Sequence, residues 1–370
     1  MAQGASRDGT RRFRERAAGV PPEHFREGLR GLYCSSIGMG TYLGEPDDAT
    51  DAAYGEALVA AVSLGTNVID SAINYRAQRS ERVVGMALAT LIAEGELQRD
   101  EVVVCTKGGY IPFDGHYPTD PGRYVHDTYV RSGLLTVQDV VAGSHSLAPR
   151  YLIDQIERSR KNLRLDTIDV YYLHNPETQL SAVDRETFHT RMAGAFRVLE
   201  RAVEQGKIGC YGVATWNGFR LEPDAREYLS LADLVELAAR DVGKGHHFRA
   251  VQLPVNLGMT EGFALQNQRI GDSHGSLVEA ADALGVTVVA SGSLLQGQLA
   301  RQLPEILQRA MVGLDTDAQR ALQFVRSTPG ITSALVGMRQ RAHVEENLVV
   351  GHRPPATRDE YLQLFTSRDG

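Results

Sequence analysis

The chain has 370 residues, of which 42% are hydrophobic and 23% are charged, enough for a large α/β core in one or two domains. No apolar run reaches the roughly 18 residues that cross a bilayer, and the N-terminus lacks the apolar segment of a secretory signal, so we expect a cytoplasmic protein that does not insert into membranes. The formal net charge of -7 argues against a general affinity for nucleic acid or anionic lipid.

A basic arm, residues 1–31, is the first segment in chain order. It is rich in arginine, and we expect it to be disordered or docked on the rest of the protein rather than to bind nucleic acid. No low-complexity linker interrupts residues 32–370, so one domain is the simplest organisation for this part of the chain.

Short β-branched segments then alternate with longer amphipathic segments, which is typical of βα units and a parallel sheet. Eight segments have the composition of strands: SSIGMGTY, TNVID, VVVCTK, TIDVYYLH, KIGCYGVA, RAVQLPVN, VTVVAS and ITSALVG. The helical segments carry their own start and stop signals; Ser276 and Glu279, for example, form a capping box, and Gly285 stands where that helix should end. Eight strand–helix pairs favour a single (β/α)8 TIM barrel over an open doubly wound sheet.

A long insertion, residues 110–149, separates the third predicted strand from the next helix, although a βα loop usually has about two to six residues. Its aromatic residues are Tyr110, Phe113, Tyr117, Tyr124 and Tyr129, with Tyr151 just beyond. We expect a lid whose flat walls and hydroxyl groups select bulky substrates. The alternative is a segment packed for stability or for subunit contact in a homo-oligomer.

Four polar side chains lie at the carboxyl ends of successive predicted strands. Asp70 ends the second strand and Tyr75 follows it, while Lys107 ends the third strand and His174 ends the fourth. Because chemistry in a (β/α)8 barrel occurs at the carboxyl ends of the strands, we expect these residues to converge on one rim. Together they could form an acid–base site for a carbonyl group.

The chain resembles the aldo-keto reductase family over roughly residues 32–350, because that family carries a tetrad of Asp, Tyr, Lys and His on these strands in this order. The matching motifs are IGMGTY, GTNVIDSAINY, VVVCTKGG, IDVYYLHNPE, GKIGCYGVATWN, VQLPVN and ALVGMRQRAHVEENL. The resemblance implies NADPH-dependent reduction of an aldehyde or ketone, or the reverse alcohol oxidation, with Asp70, Tyr75, Lys107 and His174 as the tetrad.

The chemistry also follows from the residue types. Hydride transfer to a carbonyl leaves an alkoxide, so the site must supply a proton, and Tyr75 is the candidate donor. A free phenol has a pKa of about 10. An ammonium about 4 Å away, at an effective dielectric constant of about 20, would lower that pKa by about two or three pH units. We therefore expect Lys107 to lower the pKa of Tyr75, Asp70 to hold the ammonium, and His174 to donate a hydrogen bond to the carbonyl oxygen.

The resemblance further implies a set of residues around the cofactor. They are Thr215, Asn217, Gln252, Ser291, Gly337, Arg339, Gln340, His343, Glu346 and Asn347. Thr215 and Asn217 are the polar residues where many members grip the carboxamide with a Ser-Asn pair. Ser291 stands where many members stack a tyrosine on the nicotinamide, so this chain departs from the common pattern there.

The segment GMRQRAHVEEN is expected to open the last helix and to bind the adenosine end of the cofactor. Main-chain N–H groups and Arg339 would meet the phosphate of NADPH, and the resemblance assigns Glu346 and Asn347 to the adenine. His343 and Gly337 stand where other members carry basic residues, so recognition of the 2′-phosphate would rest on Arg339 and Gln340, with Arg341 as a further candidate. We expect NADPH to be preferred over NADH.

Other classes of protein fit the sequence less well. The GDSHG segment around Ser273 matches the nucleophile elbow of serine hydrolases, but no apolar strand precedes it, so we expect a surface loop. Cys34, Cys105 and Cys210 form no CxxC pair, so we expect buried thiols and no metal site. Two alternatives are kept for the tetrad itself: a cofactor-binding regulatory barrel with little turnover, or a redox-neutral elimination or isomerisation.

Overall fold

A closed barrel of eight parallel strands lies at the centre of the computed structural model, which describes residues 4–29 and 31–365. The strands, numbered in chain order, are β1 (Phe25–Gly28), β2 (Leu32–Ser35), β3 (Ile37–Gly40), β4 (Val68–Asp70), β5 (Val103–Gly108), β6 (Ile168–His174), β7 (Ile208–Ala214), β8 (Phe248–Pro254), β9 (Gln268–Ile270), β10 (Ser273–Gly275), β11 (Thr287–Ser291) and β12 (Ile331–Gly337). The barrel order is β11-β12-β3-β4-β5-β6-β7-β8. The predicted (β/α)8 barrel is confirmed, because each of the eight predicted segments contains one barrel strand.

Helices surround this barrel and return the chain from one strand to the next. They are α1 (Arg7–Arg16), α2 (Asp48–Ser63), α3 (Arg79–Ala93), α4 (Pro121–Val125), α5 (Pro149–Leu163), α6 (Arg185–Glu204), α7 (Leu231–Val242), α8 (Glu261–Ala264), α9 (Leu277–Ala283), α10 (Glu305–Ala310), α11 (Asp317–Ser327), α12 (Arg341–Leu348) and α13 (Arg358–Gln363). Helix α9 begins at the predicted capping box of Ser276 and Glu279, and Gly285 beyond its end has a φ of 65°.

The N-terminal arm is docked in the part that the structure describes. Helix α1 buries Phe13, and Arg12 pairs with Asp100 at 2.6 Å while Arg16 pairs with Glu101 at 2.8 Å. Both acidic residues precede β5, so the arm lies at the amino-terminal end of the barrel strands. The antiparallel β1–β2 hairpin covers the same end, which leaves the carboxyl ends of the strands for the candidate site.

Two apolar clusters form the core. One fills the barrel interior and includes Cys34, Cys105 and Cys210, which are buried thiols as predicted. The larger cluster lies between the strands and the surrounding helices. Within residues 4–29 and 31–365, no helix combines the length and the apolar character that a membrane crossing requires.

Two local predictions were wrong. Ser273 is exposed, but it lies on β10 of a short antiparallel hairpin rather than in a loop, and its Oγ donates to the carbonyl of Ile270 at 2.9 Å. The GMRQRAHVEEN segment opens α12, which is not the last helix, because α13 follows it. Neither feature could be read from periodicity, because these elements have only three to eight residues.

Candidate active site

Lys107 is the centre of the polar cluster at the carboxyl ends of the strands. It lies on β5 with 1% of its surface exposed, and its Nζ donates to Asp70 Oδ1 at 2.5 Å and to the main-chain oxygen of Ser71 at 2.8 Å. A third, longer contact joins Nζ to Tyr75 Oη at 3.4 Å. The ammonium therefore has three oxygen partners, which is the number of hydrogens it can donate.

Asp70 connects this ammonium to the opposite side of the barrel. One carboxylate oxygen accepts from Lys107, and the other accepts from Gln252 Nε2 at 2.9 Å. Gln252 lies on β8, and the structure directs its amide nitrogen to Asp70; the contact with the cofactor expected from the sequence stays a prediction. Both carboxylate oxygens of the buried Asp70 therefore have hydrogen-bond donors.

The pKa of Tyr75 corrects one sequence prediction. Burial raises the pKa of Tyr75 above its usual value, and the nearby Lys107 opposes this rise without reversing it. Burial also acts to lower the pKa of Lys107, but Asp70 and Tyr75 outweigh it and raise that pKa. The prediction that Lys107 would lower the pKa of Tyr75 overall was wrong, because it left out the cost of placing a phenolate in a buried site.

His174 ends β6 beside the tyrosine. Its ring centroid lies 5.8 Å from that of Tyr75 and 5.0 Å from that of Tyr110, both in edge-on arrangements. Burial lowers the pKa of His174 well below its ordinary value, and Lys107 lowers it further. The imidazole is therefore neutral at physiological pH and has one N–H to donate.

The turn after Tyr75 has an unusual backbone. Arg76, Ala77 and Gln78 have φ values of 48°, 53° and 69°, in the left-handed region that costs a residue other than glycine roughly 1–2 kcal/mol. Arg76 is buried, and it forms an ion pair with Asp51 and donates from Nε to a main-chain oxygen of the loop before α2 at 2.9 Å. These contacts stabilise a turn that sterics disfavour.

The insertion, residues 110–149, holds the other side of the same turn. Gly115 donates its main-chain N–H to the carbonyl of Ala77 at 2.8 Å, and Gln78 Nε2 donates to the carbonyl of Phe113 at 2.8 Å. The turn after Tyr75 is thus held on two sides. Arg76 connects it to the loop between β3 and α2 and to α2 itself, and hydrogen bonds with the insertion hold its other side.

Only part of the predicted aromatic lid surface is available to a substrate. Tyr129 and Tyr151 are fully buried, and their hydroxyls donate to the main-chain oxygens of Pro112 and Tyr110 at 3.0 and 2.8 Å. They pack the insertion against α5 and cannot form its substrate-facing walls. Tyr117 is 55% exposed, so it is free to contact a ligand.

The residues predicted for the nicotinamide lie at the ends of β7 and β11. Thr215 is buried, and its Oγ1 has no hydrogen-bond partner among the described residues. Asn217 is less available, because its side-chain nitrogen donates to Glu227 at 3.0 Å. Ser291 ends β11, and two residues beyond it Ser293 has a buried hydroxyl that also finds no partner in the described part of the chain. Ser293 was not predicted from the sequence, although its position just past the end of a barrel strand could have indicated a place in the site.

The residues predicted for the adenosine end surround the start of α12. Gly337 ends β12, Gln340 is the N-cap residue, and His343 is exposed in the first turn. Arg339 is exposed and forms no ion pair among the described residues. Its guanidinium lies close to Gly44: a Cβ built on that glycine would be 3.3 Å from one guanidinium nitrogen.

Two further predicted residues, on the inner side of α12, are less exposed than those at its start. Glu346 is half-buried and its main-chain oxygen accepts from Gln319 at 2.9 Å. Asn347 is buried, and its Oδ1 has no partner within residues 4–29 and 31–365. Among the residues near the predicted cofactor positions, the hydroxyls of Thr215 and Ser293 and this amide oxygen are buried without a hydrogen-bond partner in the described part of the chain. Such a set is suited to a dinucleotide, whose amide, phosphate and base groups need partners of this kind.

The described residues contain no group of three or more His, Cys, Asp or Glu that could hold a metal.

Comparisons with known proteins match this architecture. The model of the aldo/keto reductase family matches residues 36–227. The chain is 22% identical over 333 residues to a putative voltage-gated potassium channel subunit beta of Schizosaccharomyces pombe, covering 87% of this chain and 86% of that protein. It is 30% identical over 189 residues to D-threo-aldose 1-dehydrogenase of a Pseudomonas species, covering 50% of this chain and 49% of that enzyme.

Solved structures share the fold. An aldo/keto reductase from Klebsiella pneumoniae in complex with NADP and acetate aligns with a TM-score of 0.60 and 22% identity over 92% of this chain and 94% of that one. A holo-form aldo-keto reductase from Bacillus halodurans aligns with a TM-score of 0.61 and 17% identity over 92% and 95% of the two chains.

Proposed function

Because the chain belongs to the aldo/keto reductase family, whose members are NAD(P)H-dependent oxidoreductases, we propose that it reduces an aldehyde or ketone with NADPH, or runs the reverse alcohol oxidation, with Tyr75 as the general acid. The observation that carries the proposal is the buried Lys107 ammonium, which contacts both Asp70 and Tyr75 beside His174. An ammonium in this position stabilises the negative charge on Tyr75, because the tyrosine becomes a phenolate when it gives up its proton.

The raised pKa of Tyr75 suits a proton donor. At neutral pH the phenol holds its proton, so it is ready when hydride transfer creates an alkoxide. As the proton leaves, the Lys107 ammonium at 3.4 Å from Tyr75 Oη stabilises the phenolate. A unit charge pair about 4 Å apart at an effective dielectric constant of about 20 gains about 4 kcal/mol. The interaction is stronger in the transition state than in the resting enzyme, which is the requirement for a faster chemical step.

His174 has a separate role in this proposal. As a neutral imidazole it donates one N–H to the carbonyl oxygen of the substrate, which orients the carbonyl and stabilises its developing negative charge. Asp70 touches neither substrate nor cofactor in this scheme; it holds Lys107 in place, and Gln252 in turn holds Asp70.

The residues at the strand ends support a nicotinamide dinucleotide as the cofactor, which supplies the hydride when bound. Thr215 and Ser293 have buried hydroxyls and Asn347 has a buried amide oxygen that find no partner within residues 4–29 and 31–365; the hydroxyls would serve the nicotinamide half and the amide oxygen the adenine. Arg339, exposed and without an ion pair in the described residues, is the candidate for the 2′-phosphate that distinguishes NADPH from NADH.

Steady-state oxidation of NADPH, followed by its loss of absorbance with a panel of aldehydes and ketones of increasing size, tests this function. The proposal expects multiple turnovers with at least one carbonyl class and a matching alcohol product. A protein that binds NADPH but completes only one turnover with every carbonyl would contradict it.

That second outcome would favour a cofactor-binding subunit. The specific observation behind this candidate is that a relative named as a potassium channel subunit beta aligns over most of the chain, whereas the aldose dehydrogenase aligns over half. The two candidates share the cofactor site and differ in turnover, so single-turnover and steady-state rates measured on the same preparation separate them.

A further inference from the structure

His145 joins the closing end of the insertion to its opening end. It is fully buried and forms antiparallel bridges with Tyr110 and Val141. The next residue, Ser146, donates its main-chain N–H to the carbonyl of Gly109 at 2.8 Å. The backbone around His145 is therefore held where the insertion leaves β5 and where it returns to α5.

A chain of three side chains fixes the tautomer of the His145 ring. Arg191 can only donate, and its NH1 lies 2.5 Å from Gln179 Oε1, so the nitrogen of that amide faces His145. Gln179 Nε2 lies 2.7 Å from His145 Nδ1, which must accept the hydrogen bond. The proton of the neutral ring is consequently on Nε2, which donates to the main-chain oxygen of His174 at 2.7 Å.

This contact needs a glycine beside it. Gly109 has a φ of 137°, and a Cβ at that position would lie 2.9 Å from His145 Nε2 and 3.0 Å from the oxygen of His174. Any side chain there would push the imidazole away from the strand end. Burial lowers the pKa of His145 to about 4, so the ring stays neutral at physiological pH and the tautomer argument applies.

The His174 ring is packed between aromatic rings, but one of its nitrogens has no hydrogen bond from the described residues to orient it. Its Nδ1 is buried and has no hydrogen-bond partner among residues 4–29 and 31–365. The Tyr110 ring packs edge-on between the two histidines, 5.1 Å from His145 and 5.0 Å from His174 between centroids. Asn175, immediately after His174, has a left-handed φ of 44°, so the strand conformation ends at His174, whose carbonyl faces His145 Nε2.

We propose that His145 is a positioning residue for carbonyl reduction: its Nε2–H holds the main chain of His174, and through it the insertion sets the position of the imidazole that contacts the substrate. The inference rests on the proposed function, because His174 is given its substrate role there. In this proposal the insertion contributes to the chemical step by positioning His174, whether or not it also selects substrates.

Two variants that differ in whether they can donate a hydrogen bond test the proposal kinetically. His145→Phe fills the space but cannot donate to His174, whereas His145→Gln places an amide N–H near the position of Nε2. We expect His145→Phe to lower kcat about 10- to 100-fold, the scale of a misplacement of about 1 Å, while the Kd for NADPH changes less than about twofold. His145→Gln should recover most of the lost rate. A folded His145→Phe protein with wild-type kcat, or equal losses in both variants, would overturn the proposal.

A spectroscopic measurement tests the same contact without relying on activity. In protein labelled with ¹⁵N-histidine, long-range proton–nitrogen spectra should show His145 with its proton on Nε2, and His145→Phe should shift or broaden the ring signals of His174. An Nδ1–H tautomer at His145, or unchanged His174 signals in a folded variant, would refute the positioning role. If the wild type reduces no carbonyl but the spectra agree, the proposed function fails and the contact stands.

Gln179→Met provides a second variant if His145→Phe does not fold. It removes the donor to Nδ1 but leaves the His145 ring in place. We expect a smaller loss of kcat, about threefold to tenfold, because the ring loses the hydrogen bond at Nδ1 while the carbonyl of His174 still keeps the proton on Nε2. An Nδ1–H tautomer in this variant together with wild-type kcat would overturn the proposal, because the bond to His174 would then be absent without any loss of rate.

Discussion

Gln252 donates from Nε2 to Asp70 Oδ2 at 2.9 Å, across the barrel between two residues 182 positions apart in the chain. The carboxylate that holds Lys107 is therefore itself held from the opposite side of the barrel. Since Oδ1 is committed to Lys107, the amide of Gln252 fixes the second oxygen and with it the orientation of the carboxylate plane.

Gln252→Leu should lower kcat more than it weakens NADPH binding. The change leaves Asp70 Oδ2 buried without its partner, which costs about 1–3 kcal/mol, and we expect kcat to fall about tenfold or more. Gln323→Leu, which removes a half-buried amide on α11 that donates to Pro354 and accepts from Arg326, is the matched control and should change neither quantity. A variant with normal kcat and a much weaker affinity for NADPH would contradict this positioning role and support the cofactor contact expected from the sequence.

The pH dependence of catalysis follows from the direction of the Tyr75 shift. Because burial raises its pKa, the donor keeps its proton through neutral pH, and kcat/KM for reduction should stay level and fall only above about pH 10. Alcohol oxidation needs the deprotonated form, so its rate should rise with pH over the same range. A reduction profile that falls with a midpoint near about pH 7 to 8 would instead support the lowered pKa expected from Lys107 alone.

Arg76 stabilises the left-handed turn after Tyr75, and its removal should affect both stability and rate. Arg76→Met breaks a buried ion pair with Asp51 and leaves the unfavourable φ values of residues 76–78 without their main support. We expect about 3 kcal/mol less free energy of unfolding in urea and a lower kcat. Arg82→Met, which breaks a more exposed pair with Asp114, should cost less than about 1 kcal/mol. Equal stability losses in the two variants would contradict this role of Arg76.

Cofactor choice depends on Arg339 in this account. We expect a lower Kd for NADPH than for NADH, and we expect Arg339→Ala to remove most of that difference while leaving the Kd for NADH nearly unchanged, because NADH has no 2′-phosphate to contact. Arg301→Ala, an exposed arginine beyond the loop that follows β11, is a control for the general effect of losing a positive charge. Equal affinities for the two cofactors in the wild type would disprove the preference.

The sequence was sufficient for the barrel and for the convergence of its polar strand ends. Alternating strand and helix patterns located all eight strands, and the carboxyl ends of parallel strands must share one rim, so Asp70, Tyr75, Lys107 and His174 had to be neighbours. These inferences depend only on local periodicity and on barrel geometry.

The contacts between these side chains and their supports could not be predicted in the same way. The bond from His145 to His174 depends on how the insertion returns to the barrel, and its aromatic composition alone suggested a lid although Tyr129 and Tyr151 are buried. The direction of the Tyr75 pKa shift is a balance between burial and the charge of Lys107, and a sequence supplies only the charge.

The most direct test of the proposed chemistry is the kcat of Tyr75→Phe with the best carbonyl substrate, measured together with the Kd for NADPH. Phenylalanine keeps the ring beside His174 and removes only the hydroxyl that contacts Lys107. Tyr33→Phe, on the hairpin at the other end of the barrel, is the matched control and should behave as the wild type. The account predicts a fall in kcat of about a thousandfold or more with the Kd for NADPH nearly unchanged. A Tyr75→Phe protein that retains more than about a tenth of wild-type kcat, a loss below about 1.4 kcal/mol, would contradict it.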